Sequence, residues 1–295
     1  MARPALKSIV PWWGRIPAKI ALAWLPIGSK RLKRLGLFHH GAMESVEYAA
    51  GVFDFHLAAY RRVTGGTPPP GFAALELGPG DSLFSALLAR GAGASRTLMV
   101  DVGDFAQRDP GLYEAMARYV NGRPGRKIEA AGEGPADELV AACGGEYLTQ
   151  GLESLMRVPA GSVDFAWSHA VLHAVRRAEF RKTIGELRRI MRAGGICSHE
   201  IDLRDMLGGS LNHLRFSQAA WERDIVARAG FYANRLRYSE MLQIFRDCGF
   251  EVLLAEPRRW DRLPVPRRKL YASYRELPDE ELRTHGCHVV LRSGG

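Results

Sequence analysis

Seven short apolar runs alternate with helical patterns along most of the chain, and this alternation limits the fold more than any other feature. The runs occupy residues 73–77, 97–101, 146–149, 163–167, 195–201, 250–255 and 287–291. Between the fourth and fifth runs, Phe180, Ile184 and Leu187 recur at helical spacing, and Gly194 follows as a C-terminal cap. Alternating strands and helices predict an α/β fold, in which a mostly parallel seven-stranded sheet carries helices on both faces.

The remaining segments predict an N-terminal arm and one long insertion. Apolar side chains recur at helical spacing over residues 44–63, and the GGTPPPG sequence at 65–71 then ends the helix, because proline lacks the N–H donor. We therefore divide the chain into a helical arm, residues 1–66, and a main domain, residues 67–295. Residues 202–237 follow the fifth strand and are too long for an ordinary connection, which predicts a lid over the ligand crevice.

Positive charge is concentrated in the arm. Residues 1–43 hold eight of the nine net positive charges and contain no Asp or Glu. Trp12, Trp13 and the apolar stretch 20–27 accompany this charge, but the stretch is shorter than the ~20 residues of a membrane span. A helix packed on its own domain is the first interpretation of this arm, and a helix that lies on an anionic membrane surface is the alternative. The near-neutral body argues against nucleic acid as a partner.

Cysteine spacing and the N-terminal sequence bear on location. The four cysteines are far apart and form no C-x-x-C pair, so we predict neither a metal site nor a disulfide framework. Pro11, Gly14 and Pro17 interrupt the apolar core that a secretory signal would need. We therefore expect a cytoplasmic protein, peripheral at the inner face of the membrane if the arm binds lipid.

The sharpest motif is ELGPGDS at 76–82, between the first strand and a helical pattern. Gly78 and Gly80 allow a tight turn and a close approach of the backbone to a ligand. The N–H groups of the following helix favour a carboxylate, while Glu76 and Asp81 supply acceptors for a cation. A turn without a ligand is the alternative. Leu83 stands where a dinucleotide fingerprint needs its third glycine, which disfavours a nicotinamide cofactor.

Asp101 closes the second strand, roughly 20 residues beyond the glycine motif. An acidic side chain at this distance holds ribose hydroxyls in related nucleoside-binding folds. The alternative is that Asp101 or Asp104 caps the helix that follows. The order of glycine motif and acid therefore predicts a site for a nucleoside cofactor.

Four motifs in order resemble the class I S-adenosylmethionine-dependent methyltransferases over about residues 72–255. They are the glycine motif, the acid at 101, SVDFAWS at 162–168 with Val171 and Leu172, and LRRIMRAGG at 187–195. The resemblance implies a Rossmann-like fold and S-adenosylmethionine as cofactor. Together with Asp81, the implied cofactor residues are Glu76, Gly78, Gly80, Asp101, Gly151, Leu152, Glu153, Ser168 and His169. The flanks at 35–41 and 208–216 look like a bacterial subgroup often associated with polysaccharide or glycan genes.

Two positions depart from the family. Many members have Asp where Leu152 stands, so adenine recognition would fall to Glu153, Gln150 or a backbone carbonyl. Relatives often read V-L-E-H after the fourth strand, whereas this chain has His173 and Ala174 after Val-Leu. These departures keep open the alternative of a non-catalytic methyltransferase-fold binding or scaffold protein.

The chemistry of methyl transfer suggests candidates for a base. Transfer from a sulfonium is a direct displacement, so the protein must align the reactants and, for a hydroxyl acceptor, remove a proton. Histidine suits that role because its pKa is ~6.5. We predict His199 of strand five or His213 of the lid as the base, with His173 in reserve. The predicted function is O-methylation of a sugar or glycan precursor or another small molecule; an aminopropyl transferase is a further alternative.

Overall fold

A computed structural model describes residues 11–24, 42–129 and 134–294. Seven strands form one sheet in the order β3-β2-β1-β4-β5-β7-β6, with β7 antiparallel to both neighbours and the other pairs parallel. All seven predicted strands and the mostly parallel α/β sheet are confirmed. The strands are β1 Ala73–Leu77, β2 Arg96–Val100, β3 Gly145–Leu148, β4 Val163–His169, β5 Met191–Asp202, β6 Phe250–Arg259 and β7 Thr284–Ser293.

Helices cover both faces of the sheet, as predicted. In the described ranges none is long and apolar enough to cross a membrane. The last two single-turn helices lie between β6 and β7. The helices are α1 Trp12–Trp24, α2 Val46–Thr64, α3 Phe84–Gly91, α4 Pro110–Asn121, α5 Ala136–Ala142, α6 Leu152–Arg157, α7 Arg177–Ile190, α8 Gln218–Trp221, α9 Asp224–Ala227, α10 Tyr238–Asp247, α11 Ala272–Arg275 and α12 Asp279–Arg283.

The two faces of the sheet carry different helices. On one side, which we call the α2 face, Phe165 and Trp167 of β4 point towards α2, α3 and α4. On the other, the α7 face, Ala166 of β4 points towards α7 and α10. Because successive side chains of a strand point to opposite faces, neighbouring residues of β4 and β5 enter different cores.

Helix α2 belongs to the main core. Ser45 caps its N-terminus by accepting from the Tyr48 N–H, and Gly65 ends it with a positive φ of 74°. Phe53 and Leu57 are buried against the sheet. The predicted arm of residues 1–66 includes this helix. In the structure α2 packs against the sheet, because its apolar stripe finds its partner there.

The insertion at 202–237 forms a packed unit with α1. Trp12 and Ile16 of α1 contact an apolar cluster that includes Trp221 and Phe231 of the insertion. The Lys19 ammonium donates to backbone carbonyls of the insertion at 3.3 and 3.4 Å. The described part of the arm is therefore a helix that packs on its own domain.

A buried arginine anchors the end of the insertion to the sheet. The Arg237 guanidinium donates to the backbone carbonyls of Leu203, Glu281 and Thr284. Its burial lowers its pKa to about 10. Three carbonyls from separate segments depend on this side chain, so the base of the insertion is tied to both β5 and β7.

Candidate functional site

The glycine turn after β1 is shaped by steric limits. Gly78 and Gly80 both have φ of +69°, a conformation that residues with a Cβ rarely adopt. The Gly78 N–H donates to the Val100 carbonyl at 2.8 Å. A Cβ at Gly78 would lie 2.4 Å from a methyl group of Val171, so only glycine fits between β1 and the segment after β4.

The start of α3 is held from two sides. The Ser82 hydroxyl donates to the Met43 carbonyl at 2.6 Å, which links the glycine turn to the segment before α2. The Leu83 N–H donates to the Tyr113 hydroxyl at 3.0 Å. Leu83 itself is buried, so the position where a dinucleotide fingerprint has its third glycine is filled by a core side chain. The close packing of helix on strand that a third glycine permits in the dinucleotide fingerprint is therefore absent at this turn.

Glu76 is a buried carboxylate with one oxygen that lacks a partner. The Trp167 indole N–H donates to Oε1 at 3.0 Å, whereas the buried Oε2 has no hydrogen-bond partner in the described part of the chain. Burial raises the pKa of Glu76 to about 7, although the nearby Ser85 hydroxyl and Trp167 indole oppose the shift. A bound ammonium would satisfy Oε2. The sequence analysis does not identify Trp167 as a site residue. It lies beside Glu76 because the two residues pair across β1 and β4.

Asp101 links the ends of three strands at the crevice. One of its carboxylate oxygens accepts from the Val102 N–H at 2.7 Å, and the other lies 3.3 Å from the Gly80 N–H. Its backbone carbonyl accepts from the Gly151 N–H at 2.8 Å. Asp109, not Asp101 or Asp104, caps α4. The capping alternative is therefore wrong for this helix, and the Asp101 carboxylate stands beside the glycine turn as predicted.

An exposed apolar side chain lies next to the predicted adenine residues. Val102 is 79% exposed, and its side chain packs so close to Gly151 that a Cβ there would lie 3.0 Å from a valine methyl. Gly151 has φ of +53° and precedes α6, where Leu152 is half-buried and Glu153 is exposed. Val102 therefore presents an exposed apolar side chain beside the predicted adenine residues. The sequence signal we overlooked is an apolar residue directly after a strand-ending acid.

Three of the predicted residues have their side chains inside the fold. Asp81 is buried beside the turn. Ser168 lies on the α7 face, where its hydroxyl is 2.8 Å from His199 Nδ1. The His199 ring stacks on Phe245 at 6.1 Å, and burial lowers its pKa to about 3. Ser168 and His199 thus satisfy each other within an apolar layer, and the structure gives no support to direct contact with a ligand.

The other two candidate bases are also buried. His173 lies in the segment after β4, and His213 lies in the insertion beside Trp221, with ring centroids 6.2 Å apart. The Nδ1 atoms of both rings are buried and have no hydrogen-bond partner among the described residues. Burial lowers the pKa of each imidazole, most strongly for His213, where Arg237 and Arg235 add to the effect. None of the three predicted bases reaches solvent in this structure.

His169 is the histidine that the fold brings to the crevice. Ser168 pairs with Leu77, so His169 at the end of β4 stands level with Gly78 at the end of β1. Its side chain is half-buried, and burial, followed by the charge of Arg258, lowers its pKa. Ala170 then takes a positive φ of 55° and donates its N–H to the Glu200 carbonyl at 2.8 Å. The predicted site therefore gathers Glu76, the glycine turn, Asp101 and His169 at one edge of the sheet.

Residues 127–198, about a quarter of the chain, match the profile of a family described as "Methyltransferase domain". They include β3, β4 and the first two thirds of β5. This match supports the predicted enzyme class, a methyltransferase, and S-adenosylmethionine as its cofactor. No protein of curated function matches the chain in sequence.

Solved structures described as methyltransferases are similar to this chain at low sequence identity. One from Methanosarcina mazei is 17% identical, with a TM-score of 0.47 over 77% of this chain and 94% of its own. One from Mesorhizobium loti is 17% identical, with a TM-score of 0.44 over 84% of this chain and 100% of its own. A third, in complex with the Trm112 methyltransferase activator of Haloferax volcanii, is 16% identical, with a TM-score of 0.42 over 85% and 94%. Similarity at this level transfers neither acceptor nor partner.

Proposed function

We propose that this methyltransferase acts on a hydroxyl group of a small molecule, in particular of a sugar or glycan precursor. The main observation in favour of a cofactor site is that Oε2 of buried Glu76 has no hydrogen-bond partner among the described residues. Glu76 lies beside the glycine turn. A buried carboxylate oxygen without a partner is costly and is satisfied by a bound cation. The ammonium of S-adenosylmethionine is such a cation.

The other residues at the crevice fit the rest of the cofactor. The glycine turn at Gly78 and Gly80 would bring its backbone close to the methionine part. Asp101, at the end of β2, would accept from the ribose hydroxyls, and Val102 with Gly151 would contact the adenine ring. The bound cofactor supplies a methyl group on a sulfonium, which is transferred by direct displacement.

A hydroxyl acceptor is favoured by the histidine at the crevice. A hydroxyl must lose its proton during methyl transfer, and a neutral imidazole is suited to accept it. His169 stands level with Gly78 and stays partly exposed, whereas the predicted bases His173, His199 and His213 are buried. In this proposal the proton acceptor is therefore His169.

Binding and label transfer test the proposal together. Calorimetry should show binding of S-adenosylmethionine and S-adenosylhomocysteine, and Asp101→Ala should weaken it by ~1–3 kcal/mol, the range for a lost charged hydrogen-bond partner. Asp104→Ala is the matched control, since this acid lies in the same loop but pairs with Arg108 at 2.9 Å. An equal loss of cofactor affinity in both variants would contradict a role of Asp101 in binding the cofactor.

The acceptor is sought with methyl-labelled cofactor and fractionated extract of the source cells. Label should enter a small-molecule or glycan fraction and survive conditions that cleave methyl esters. Binding of the cofactor without transfer to any fraction would favour the non-catalytic alternative. Methyl label that stays on the thioether released by loss of an aminopropyl group, and enters no acceptor, would indicate the aminopropyl transferase alternative.

The basic arm carries a separate proposal about location. We infer that the protein is cytoplasmic and touches an anionic membrane surface through residues 1–43. In α1, Trp12 packs on the insertion while Trp13 is 63% exposed. Vesicles with anionic lipid should bind the full chain better than a chain lacking residues 1–40, and salt should weaken that binding. Equal binding by both proteins would contradict this location.

A further inference from the structure

A line of polar side chains crosses the α2 face of the sheet. His169 Nδ1 lies 3.4 Å from His56 Nε2, and His56 Nδ1 lies 2.8 Å from the Ser198 hydroxyl. The same hydroxyl is 3.0 Å from His288 Nε2, and His288 Nδ1 is 3.9 Å from a carboxylate oxygen of Glu256. Five side chains from α2, β4, β5, β6 and β7 thus form one series, which we call the histidine line. All its neighbours lie within 3.4 Å of each other except His288 and Glu256.

The two ends of the line differ from its middle. His56 and Ser198 are fully buried, and His288 is nearly so. At one end, His169 is half-buried at the crevice, and its Nε2 has no hydrogen-bond partner among the described residues. At the other end, the Glu256 side chain is 48% exposed and accepts from Arg62 at 2.8 Å. The line therefore runs from the crevice through the core to the surface.

The surrounding structure holds the line in place. Asp54 of α2 forms ion pairs with Arg123 and Arg126 at 2.6 and 2.8 Å, which fix the helix next to His56. The Phe55 ring lies 5.1 Å from His56 and 4.6 Å from the ring of His288. It also lies 6.3 Å from the His169 ring, so one aromatic side chain covers all three imidazoles.

The three rings are neutral near pH 7. Burial lowers the pKa of His56 far below its usual value and that of His288 to about 4. The charged groups that face the line are Arg258, which pairs with Glu200, and Arg62, which pairs with Glu256. A neutral imidazole has one donor and one acceptor nitrogen, so each ring can receive a proton on one side and release one on the other.

We propose that the histidine line is a proton relay for methyl transfer to a hydroxyl; this inference rests on the proposed function. His169 Nε2 takes the proton of the acceptor hydroxyl while its Nδ1–H passes to His56 Nε2. The His56 Nδ1–H passes to the Ser198 oxygen, whose own proton passes to His288 Nε2. The His288 Nδ1–H leaves to Glu256 or to water. Each group gains one proton and loses one, so the net change is one proton delivered to the surface.

A structural reading competes with this proposal. Buried histidines that bond to one another avoid the cost of unsatisfied polar atoms, and such a cluster needs no function. That reading accounts for the middle of the line. It gives no reason for the line to end at the crevice on one side and at an exposed carboxylate on the other.

The test begins without any acceptor. In protein labelled with ¹⁵N-histidine and saturated with S-adenosylhomocysteine, Ser198→Ala and Glu256→Gln should both shift the ring nitrogen signals of His169, although neither residue contacts it. Thr183→Val, which removes a buried hydroxyl on α7, is the matched control and should leave these signals in place. Unchanged His169 signals in both variants would overturn the relay.

Label transfer to the acceptor fraction gives the second readout. Ser198→Ala should bind S-adenosylhomocysteine as tightly as the parent protein but transfer methyl groups ~10- to ~100-fold more slowly, part of the ~10²–10⁴ of general base catalysis. It should also lose the solvent deuterium isotope effect, and Ser198→Thr should restore both. Glu256→Gln, at the exposed end, tests the line without risk to the core. Normal transfer in both variants would overturn the relay, whereas absent cofactor binding in the parent protein would overturn the proposed function itself.

Discussion

Six histidines of the described chain fall into two sets that differ in what their ring nitrogens contact. His56, His169 and His288 lie on the α2 face and connect through Ser198 into one line. His173, His199 and His213 lie on the α7 face or around the insertion, and each has a buried ring nitrogen without a partner in the described chain. The first set reaches both the crevice and the surface, and the second set reaches neither.

This difference shows that position along a strand does not decide access to a site. His199 is near the end of β5, just as His169 is at the end of β4, yet their side chains enter opposite cores. The strand register pairs Ser168 with His199 and His169 with Glu200. A shift of one residue along β5 would move the His199 side chain to the α2 face.

The largest expected effect is a difference in methyl-transfer rate between variants of the two histidine sets. His169→Gln should lower methyl transfer by ~10²–10⁴ with little change in cofactor affinity, because the proton acceptor is lost while the glycine turn is kept. His213→Gln should change the rate per folded molecule only slightly. The measurement is label transfer at saturating cofactor. If His213→Gln is the more damaging variant, the assignment of roles to the two sets is reversed.

The pH dependence of the free energy of unfolding should differ in direction between a buried histidine and a buried carboxyl group. Burial lowers the pKa of His199 to about 3, so the unfolded chain binds its proton first as the pH falls below ~6.5. The contribution of neutral His199 to the free energy of unfolding is therefore fully present above pH ~6.5. Below that pH it decreases by ~1.4 kcal/mol per pH unit. Glu76, with a raised pKa, acts in the opposite direction between pH 7 and 4.5.

Urea unfolding at pH 7, 6 and 5 measures the His199 contribution by difference. The double variant Ser168→Ala/His199→Leu should show a smaller loss of unfolding free energy on acidification than the parent protein. The contribution of Glu76 cancels because it is the same in both proteins. If the free energy of unfolding depends on pH equally in the two proteins, folding does not lower the pKa of His199.

The sequence predicted the architecture well and the side-chain contacts poorly. All seven strands and the glycine turn followed from local patterns, since apolar runs and glycines act over a few residues. His56 was missed although it lies three residues after Phe53 on the buried stripe of α2. Its partners come from β4 and β5, more than 100 residues away, and no local pattern encodes such contacts.

The smallest of these effects concerns a single serine on the α7 face. Ser168→Ala removes the partner of His199 Nδ1 and should lower the free energy of unfolding by ~1–3 kcal/mol, the cost of an unsatisfied buried polar atom. Adding His199→Leu should recover most of that loss, since both polar groups are then gone. Urea unfolding at pH 7 decides it. A single variant as stable as the parent protein would mean that the two side chains do not depend on each other.

Proton release on cofactor binding tests the central claim most directly. Glu76 has a pKa of about 7 in the protein, and an ammonium at Oε2 would favour its ionised form. Calorimetry with S-adenosylhomocysteine at pH 6, in buffers of different ionisation enthalpy, should therefore show release of close to one proton. Affinity should rise from pH 6 to pH 8, and Glu76→Gln should abolish both effects. Binding that releases no proton and is unchanged in Glu76→Gln, or no binding at any pH, would contradict the account.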